Sequence, residues 1–193
     1  GLRRHVPVLR GSGWLLLGAG SGEVTSRLYS FAVVGRFGTE ALAALSAVQV
    51  VIRPAWMLSA AWISVGFPAM SGRWKAGDTA AVVRTMAQGV ALTTGASLAW
   101  SAVVVLAWPW ISGTLYGGRY TEAGWLAYLW GANVVLGSIA AVLNTGMLSI
   151  GEFRRLALLD MAGALVVIVA TAVVLARFSY GAAVVATLLG QAT

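Results

Sequence analysis

The chain has 193 residues, 59% of them apolar and only 10% charged, with a mean hydropathy of +0.84. Soluble domains average about 45–50% apolar and about 25% charged residues. The departure in both respects, together with the absence of cysteine, excludes a disordered segment, a disulfide scaffold and an ordinary water-soluble enzyme domain. The composition predicts an all-α, polytopic membrane helix bundle. Without cysteine the chain has no thiolate metal site, iron–sulfur cluster or thiol nucleophile. Its formal charge of +7 would suggest nucleic acid in a soluble protein. Here the cations fall mainly in short loops between apolar spans, so they read as orientation signals, and no nucleic-acid partner is expected.

A basic leader over residues 1–12 carries Arg3, Arg4, His5 and Arg10. A span needs about 20 mostly apolar residues. The first is expected over about 14–35 and the second over about 41–67. The polar stretch SGRWKAGDTAAVVRT then reads as a loop with a short amphipathic helix. The third span is expected over about 87–111, the fourth over about 123–150 after GTLYGGRYTE, and the fifth over about 156–176 after GEFRR. A sixth begins near Gly181 and has too few residues by Thr193 to cross a core of about 30 Å. The chain is therefore expected to be a fragment of a longer protein, ending inside its sixth helix. Residues 13–193 form a single transmembrane lobe in this reading.

Eight cations (Arg3, Arg4, Arg10, Arg73, Lys75, Arg84, Arg154, Arg155) fall on the leader's side and three (Arg36, Arg119, Arg177) on the other. The excess predicts a cytoplasmic N-terminus in a cell (inner) membrane, with the lipid bilayer as constant partner. Trp14 and Trp74 are expected at the inner edge. Trp108, Trp110, Tyr116, Tyr120, Trp125 and Tyr180 are expected at the outer edge, where amphipathic rings prefer to lie.

The informative residues are polar ones at depth. Glu23 and Arg27, four apart with the acid first, suit an intrahelical pair in the first span. They can neutralise each other as a plain packing staple. Arg53 lies near the middle of the second span with Gln49 one turn before it, and Pro54 should kink that helix and free a carbonyl in the preceding turn. Asn133 lies near the middle of the fourth span. Asp160, one turn into the fifth, is expected to cap that helix or meet Arg154 or Arg155. An Arg without an acidic partner at mid-depth should face a wet cavity, an anionic ligand or a partner helix. A guanidinium also matches phosphate oxygens bidentately. The expectation is a cationic central cavity for an anionic, phosphate-bearing substrate.

Enzyme chemistry finds no support. His5 is the only histidine, the span hydroxyls lack a neighbouring base, and the six acids are scattered. The run GAGSG follows no strand, so no nucleotide fingerprint, cofactor or metal is expected. Gly at 24 of 193 instead suits close helix approach in lipid.

Three stretches together carry a resemblance. They are VVGRFGTEALAALSAVQVV, GFPAMSGRWKAGDTAAVVR and WPWISGTLYGGRYTEAGWLAYLW, the last with Leu115-Tyr116-Gly117, Tyr120 and Ala123. Their order resembles one lobe of the MOP exporter superfamily over about residues 11–192, most closely the polysaccharide and lipid-linked oligosaccharide flippases. GRFGTEALAAL is shared in style with the multidrug and toxin extrusion branch. The resemblance implies one six-helix lobe, a missing second lobe in the same chain, and alternating access around a central cavity. It implies cationic residues in that cavity, a role that Arg27 and Arg53 fit by type and depth. The expected substrate is a lipid-linked saccharide, with Arg27 and Arg53 on its pyrophosphate or acidic sugar, Gln49 and Asn133 on its polar head, and Glu23 holding Arg27 and exchanging H+ or Na+. A cation-coupled drug antiporter is the alternative. A scaffold subunit without transport, its Arg53 covered by a partner helix, is a third reading.

Overall fold

The computed structural model describes the backbone of residues 6–177 and Val184, and the side chains of residues 30–170 and Val184. The described regular structure is helical. A long helix, α1, runs Val6–Lys75, followed by α2 (Thr79–Tyr116), a 3-10 turn (Thr121–Gly124), α3 (Trp125–Ser149) and α4 (Phe153–Arg177). The expected sixth span lies outside the described residues except for Val184.

Gly38 breaks α1 into an arm over 6–37, here α1a, and an arm over 39–75, here α1b. Its φ of 82° and ψ of 177° are non-helical, and a Cβ there would meet nothing within 4 Å. Backbone freedom, not space, is therefore what glycine supplies at this break. The expected first and second spans correspond to these two arms.

The expected loop after the second span is much shorter than predicted. Helix α1b continues through Pro68 to Lys75, and α2 starts at Thr79. Local chemistry accounts for both boundaries. Arg73 and Lys75 lie in the last turn of α1b, where cations suit the carbonyl end of the dipole. Asp78 caps α2, its carboxylate accepting from the Ala81 N–H at 2.9 Å. Arg73 reaches across the turn and donates to the Ala81 carbonyl at 3.4 Å and to the Thr85 hydroxyl.

At the other end of α2, Gly117 takes a left-handed cap and the Gly118 N–H returns to the Ser112 carbonyl at 2.9 Å. The turn is then clamped by aromatics. Trp108 donates to the Tyr120 carbonyl at 3.1 Å, and Tyr116 donates to the Ala47 carbonyl at 3.0 Å. Tyr120 stands edge-on to Tyr116 with centroids 5.5 Å apart. Trp108 is thus an internal strut, 2% exposed, and not the interfacial ring expected from sequence; Trp110 is the exposed one, at 70%. Tyr116→Phe should cost about 0.5–1.5 kcal/mol, seen as a fall of a few degrees in the thermal midpoint in detergent.

Large indoles seat on glycines and fix the helix register. Trp62 covers Gly89, and Trp100 donates to the Val51 carbonyl at 3.0 Å. Eleven residues forward on α1b thus correspond to eleven back on α2, so the two are antiparallel. Ser101 lies against Gly131, Met86 against Gly146 and Trp108 against Gly124. The same antiparallel register therefore runs from α2 to α3 and its 3-10 lead-in. Combining the two registers places Trp56 level with Gly137, and Trp56 does cover Gly137. Contacts across all three helix pairs therefore close one triangle of helices, with α1b parallel to α3. Helix α4 packs chiefly on α1 and barely touches α3.

The core within the triangle includes Leu45, Val48, Ile52, Val104, Trp108, Leu126 and Val134. The outside is also apolar: Val65 is 71% exposed and Leu106 81%. Exposed apolar surface on this scale suits lipid and not water. Three stretches, Ser30–Lys75, Thr79–Tyr116 and Thr121–Ser149, are long and apolar enough to cross a bilayer. The chain is a membrane helix bundle on these grounds.

Candidate functional site

The site is built on α1b. Arg53 lies fifteen residues from Gly38, about 22 Å along the helix. Phe67, near the level where α3 ends, lies fourteen residues the other way, about 21 Å. Arg53 is therefore at mid-depth. Pro54 follows it, and the Trp100 indole of α2 donates to the Val51 carbonyl in the turn before it. The carbonyl that the missing Pro54 N–H leaves free is that of Val50, one residue earlier.

Helix α1b has one broad exposed face, polar along one margin and apolar along the other, with exposed Met57 between them. At 100° per residue, Gln49, Arg53, Ala60, Ser64 and Phe67 share an arc, and all five are exposed. This arc lies next to Trp56, the residue seated on α3 at Gly137. A second exposed arc holds Val50, Pro54, Leu58, Ala61 and Val65, next to the side that meets α2 through Val51 and Trp62. The second arc is apolar throughout and suits acyl chains. The first carries an amide, a guanidinium and a hydroxyl.

Among the described residues Arg53 makes no hydrogen bond or ion pair. Placed in hydrocarbon it would cost about 2.5–3.5 kcal/mol or more. Its edge therefore needs water, an anion or a polar partner surface. Gln49, on the same edge one turn away, adds two amide donors and a carbonyl acceptor.

Asn133 is placed differently. It is 3% exposed, on the same face of α3 as Gly137 and one turn from it. The helix register puts it at the depth of Ile52 and Arg53. It has an interaction of its own and is not an open ligand. The structure thus brings Gln49 and Arg53 to one surface and puts Asn133 behind it, inside the bundle. Glu23 and Arg27 lie on α1a, and their side chains fall outside the described residues.

Asp160 is the residue that sequence reasoning misread. It is the eighth residue of α4, so it does not cap that helix. It does not meet Arg155 either, whose Nε lies 3.4 Å from Glu152. Leu156, Ala157, Gly163 and Val167 are buried on α4, and Asp160 falls in the same seam at helical spacing, half-buried. Among the described residues it has no hydrogen-bond or ion-pair partner. The available signal was its spacing: four residues from Leu156 and three from Gly163, on the packing stripe and not the polar one.

The chain matches no family model, no curated protein and no solved structure.

Proposed function

We propose that the chain is part of a membrane transporter that moves a lipid-linked oligosaccharide or polysaccharide precursor across the inner membrane by alternating access. The observation that supports this most is the exposed guanidinium of Arg53, unpaired and at mid-depth, with Gln49 beside it. Guanidinium groups take phosphate or carboxylate oxygens in pairs, and an anionic ligand is one of the surroundings that a charge at this depth needs. In this reading Arg53 and Arg27 hold the pyrophosphate or acidic sugar and Gln49 hydrogen-bonds the polar head. Asn133 acts from behind the surface. Glu23 holds Arg27 and exchanges a proton or sodium ion.

One observation favours a cation-coupled drug antiporter instead. Among the described residues Asp160 is an unpartnered carboxyl in the α4 seam, a residue type that marks ion or proton pathways in membrane helices. Two assays on a deletion strain separate the readings. Loss of surface polysaccharide, restored by the full gene, supports the flippase. Sensitivity to cationic dyes with surface polysaccharide intact supports the antiporter and overturns the first reading.

A further inference from the structure

The helix register leaves a step at the basic end of the bundle. Ser149, the last residue of α3, is level with Pro68, whereas α1b continues to Lys75. The α1b–α2 hairpin therefore stands about 10 Å beyond the α3–α4 turn. One apolar side chain hangs over this step and a second lies at its foot. Trp74 lies eighteen residues, five helical turns, after Trp56, so it points the way Trp56 points, toward the column of α3. Val83 lies eighteen residues before Ser101, which touches Gly131, so it points toward the same column. Trp56 and Ser101 have α3 to pack on. Trp74 lies past the end of α3 and Val83 is level with its last residue, Ser149; they are 42% and 59% exposed.

The rim of the step is cationic. The described side chains at this end include Arg73, Lys75, Arg84, Arg154 and Arg155 against Asp78 and Glu152. Both acids are engaged, Asp78 as the α2 cap and Glu152 with Arg155. Arg73 is engaged across the hairpin. Lys75, Arg84 and Arg154 have no partner among the described residues.

We propose that this step is a binding site for an anionic phospholipid, with Trp74 and Val83 against the glycerol and upper acyl region and Lys75 and Arg154 on the phosphate. An indole is suited to the boundary between headgroup and chain, and cations at that boundary select anionic headgroups. Charge complementarity selects this occupant over a zwitterionic lipid. The site lies at the membrane edge, separate from the mid-depth edge of Arg53.

Native mass spectrometry of the full protein, released from nonionic detergent and titrated with phosphatidylglycerol or phosphatidylcholine, tests this. The first phosphatidylglycerol should bind more tightly than the first phosphatidylcholine. Each lost cation should weaken phosphatidylglycerol about fivefold, so Lys75→Gln with Arg154→Gln should erase the preference and leave phosphatidylcholine unchanged. Arg36→Gln with Arg119→Gln, at the opposite end, should leave both affinities as they were. Trp74→Ala should weaken both lipids alike. An unchanged preference in the Lys75/Arg154 variant overturns the proposal, as does an equal loss in the Arg36/Arg119 variant. Displacement of the lipid by inorganic phosphate marks a free-anion site and also overturns it. If the double variant loses helicity, Lys75→Gln alone, read against its fivefold expectation, decides.

Discussion

Arg53→Glu should abolish transport, lowering the rate by about 100-fold or more, while the protein still inserts and folds. The expectation follows from where the residue sits. Arg53 is exposed and unpaired on the polar edge of α1b, so removing it breaks no bond within the described residues. Loss of a charge-assisted pair with a bound anion costs about 2–5 kcal/mol, and reversing the sign adds repulsion. Lysine at the same position should recover part of the rate, because it keeps the charge and loses the planar fork. The measurement is flipping of a lipid-linked saccharide in proteoliposomes, with melting in detergent as the control for folding. Unchanged transport in the folded Arg53→Glu variant removes the residue from the site.

A large effect on stability should come from Gly137→Ala. A Cβ there would meet the far edge of the Trp56 ring, so the contact that joins α1b to α3 must shift. Overpacking of this kind costs about 1–3 kcal/mol. Alanine gains about 1 kcal/mol of helix propensity over glycine, which offsets part of it. The net change should be destabilising by up to about 2 kcal/mol. Gly95 on α2 supplies the opposite sign. A Cβ there meets nothing within 4 Å, so Gly95→Ala should stabilise by up to about 1 kcal/mol. Adding Trp56→Leu to Gly137→Ala should relieve the clash and show a coupling between the two sites. Thermal unfolding of the single and double variants in one detergent reads all of these.

The sequence made some features visible because they depend on local chemistry. Apolar stretches and the shared edge of Gln49 and Arg53 follow from periodicity. The hairpin at 76–78 was less legible. A polar composition suggested a long loop, yet the dipole-compatible cations at Arg73 and Lys75 and the Asp78 cap let both helices run on past the apolar stretch. Least legible was the pairing of tryptophans with glycines. Trp56, Trp62, Trp100 and Trp108 look like any aromatic in a span, and only the partner helix shows that each sits on a glycine or a carbonyl. The same limit hid Asp160 and the burial of Asn133, since which face of a helix is covered depends on neighbours far away in the chain.

The chain contains no cysteine, so a single introduced thiol reports its surroundings without interference. Thiols react as thiolates, which form in water and not in hydrocarbon. Arg53→Cys and Leu58→Cys lie on the two margins of the exposed face of the same helix, close in depth. Exposed in intact membranes to a membrane-impermeant thiosulfonate, Arg53→Cys should be labelled and Leu58→Cys should not. Failure to label Arg53→Cys in a folded protein, or equal labelling of both, would contradict a water-filled chamber at mid-depth.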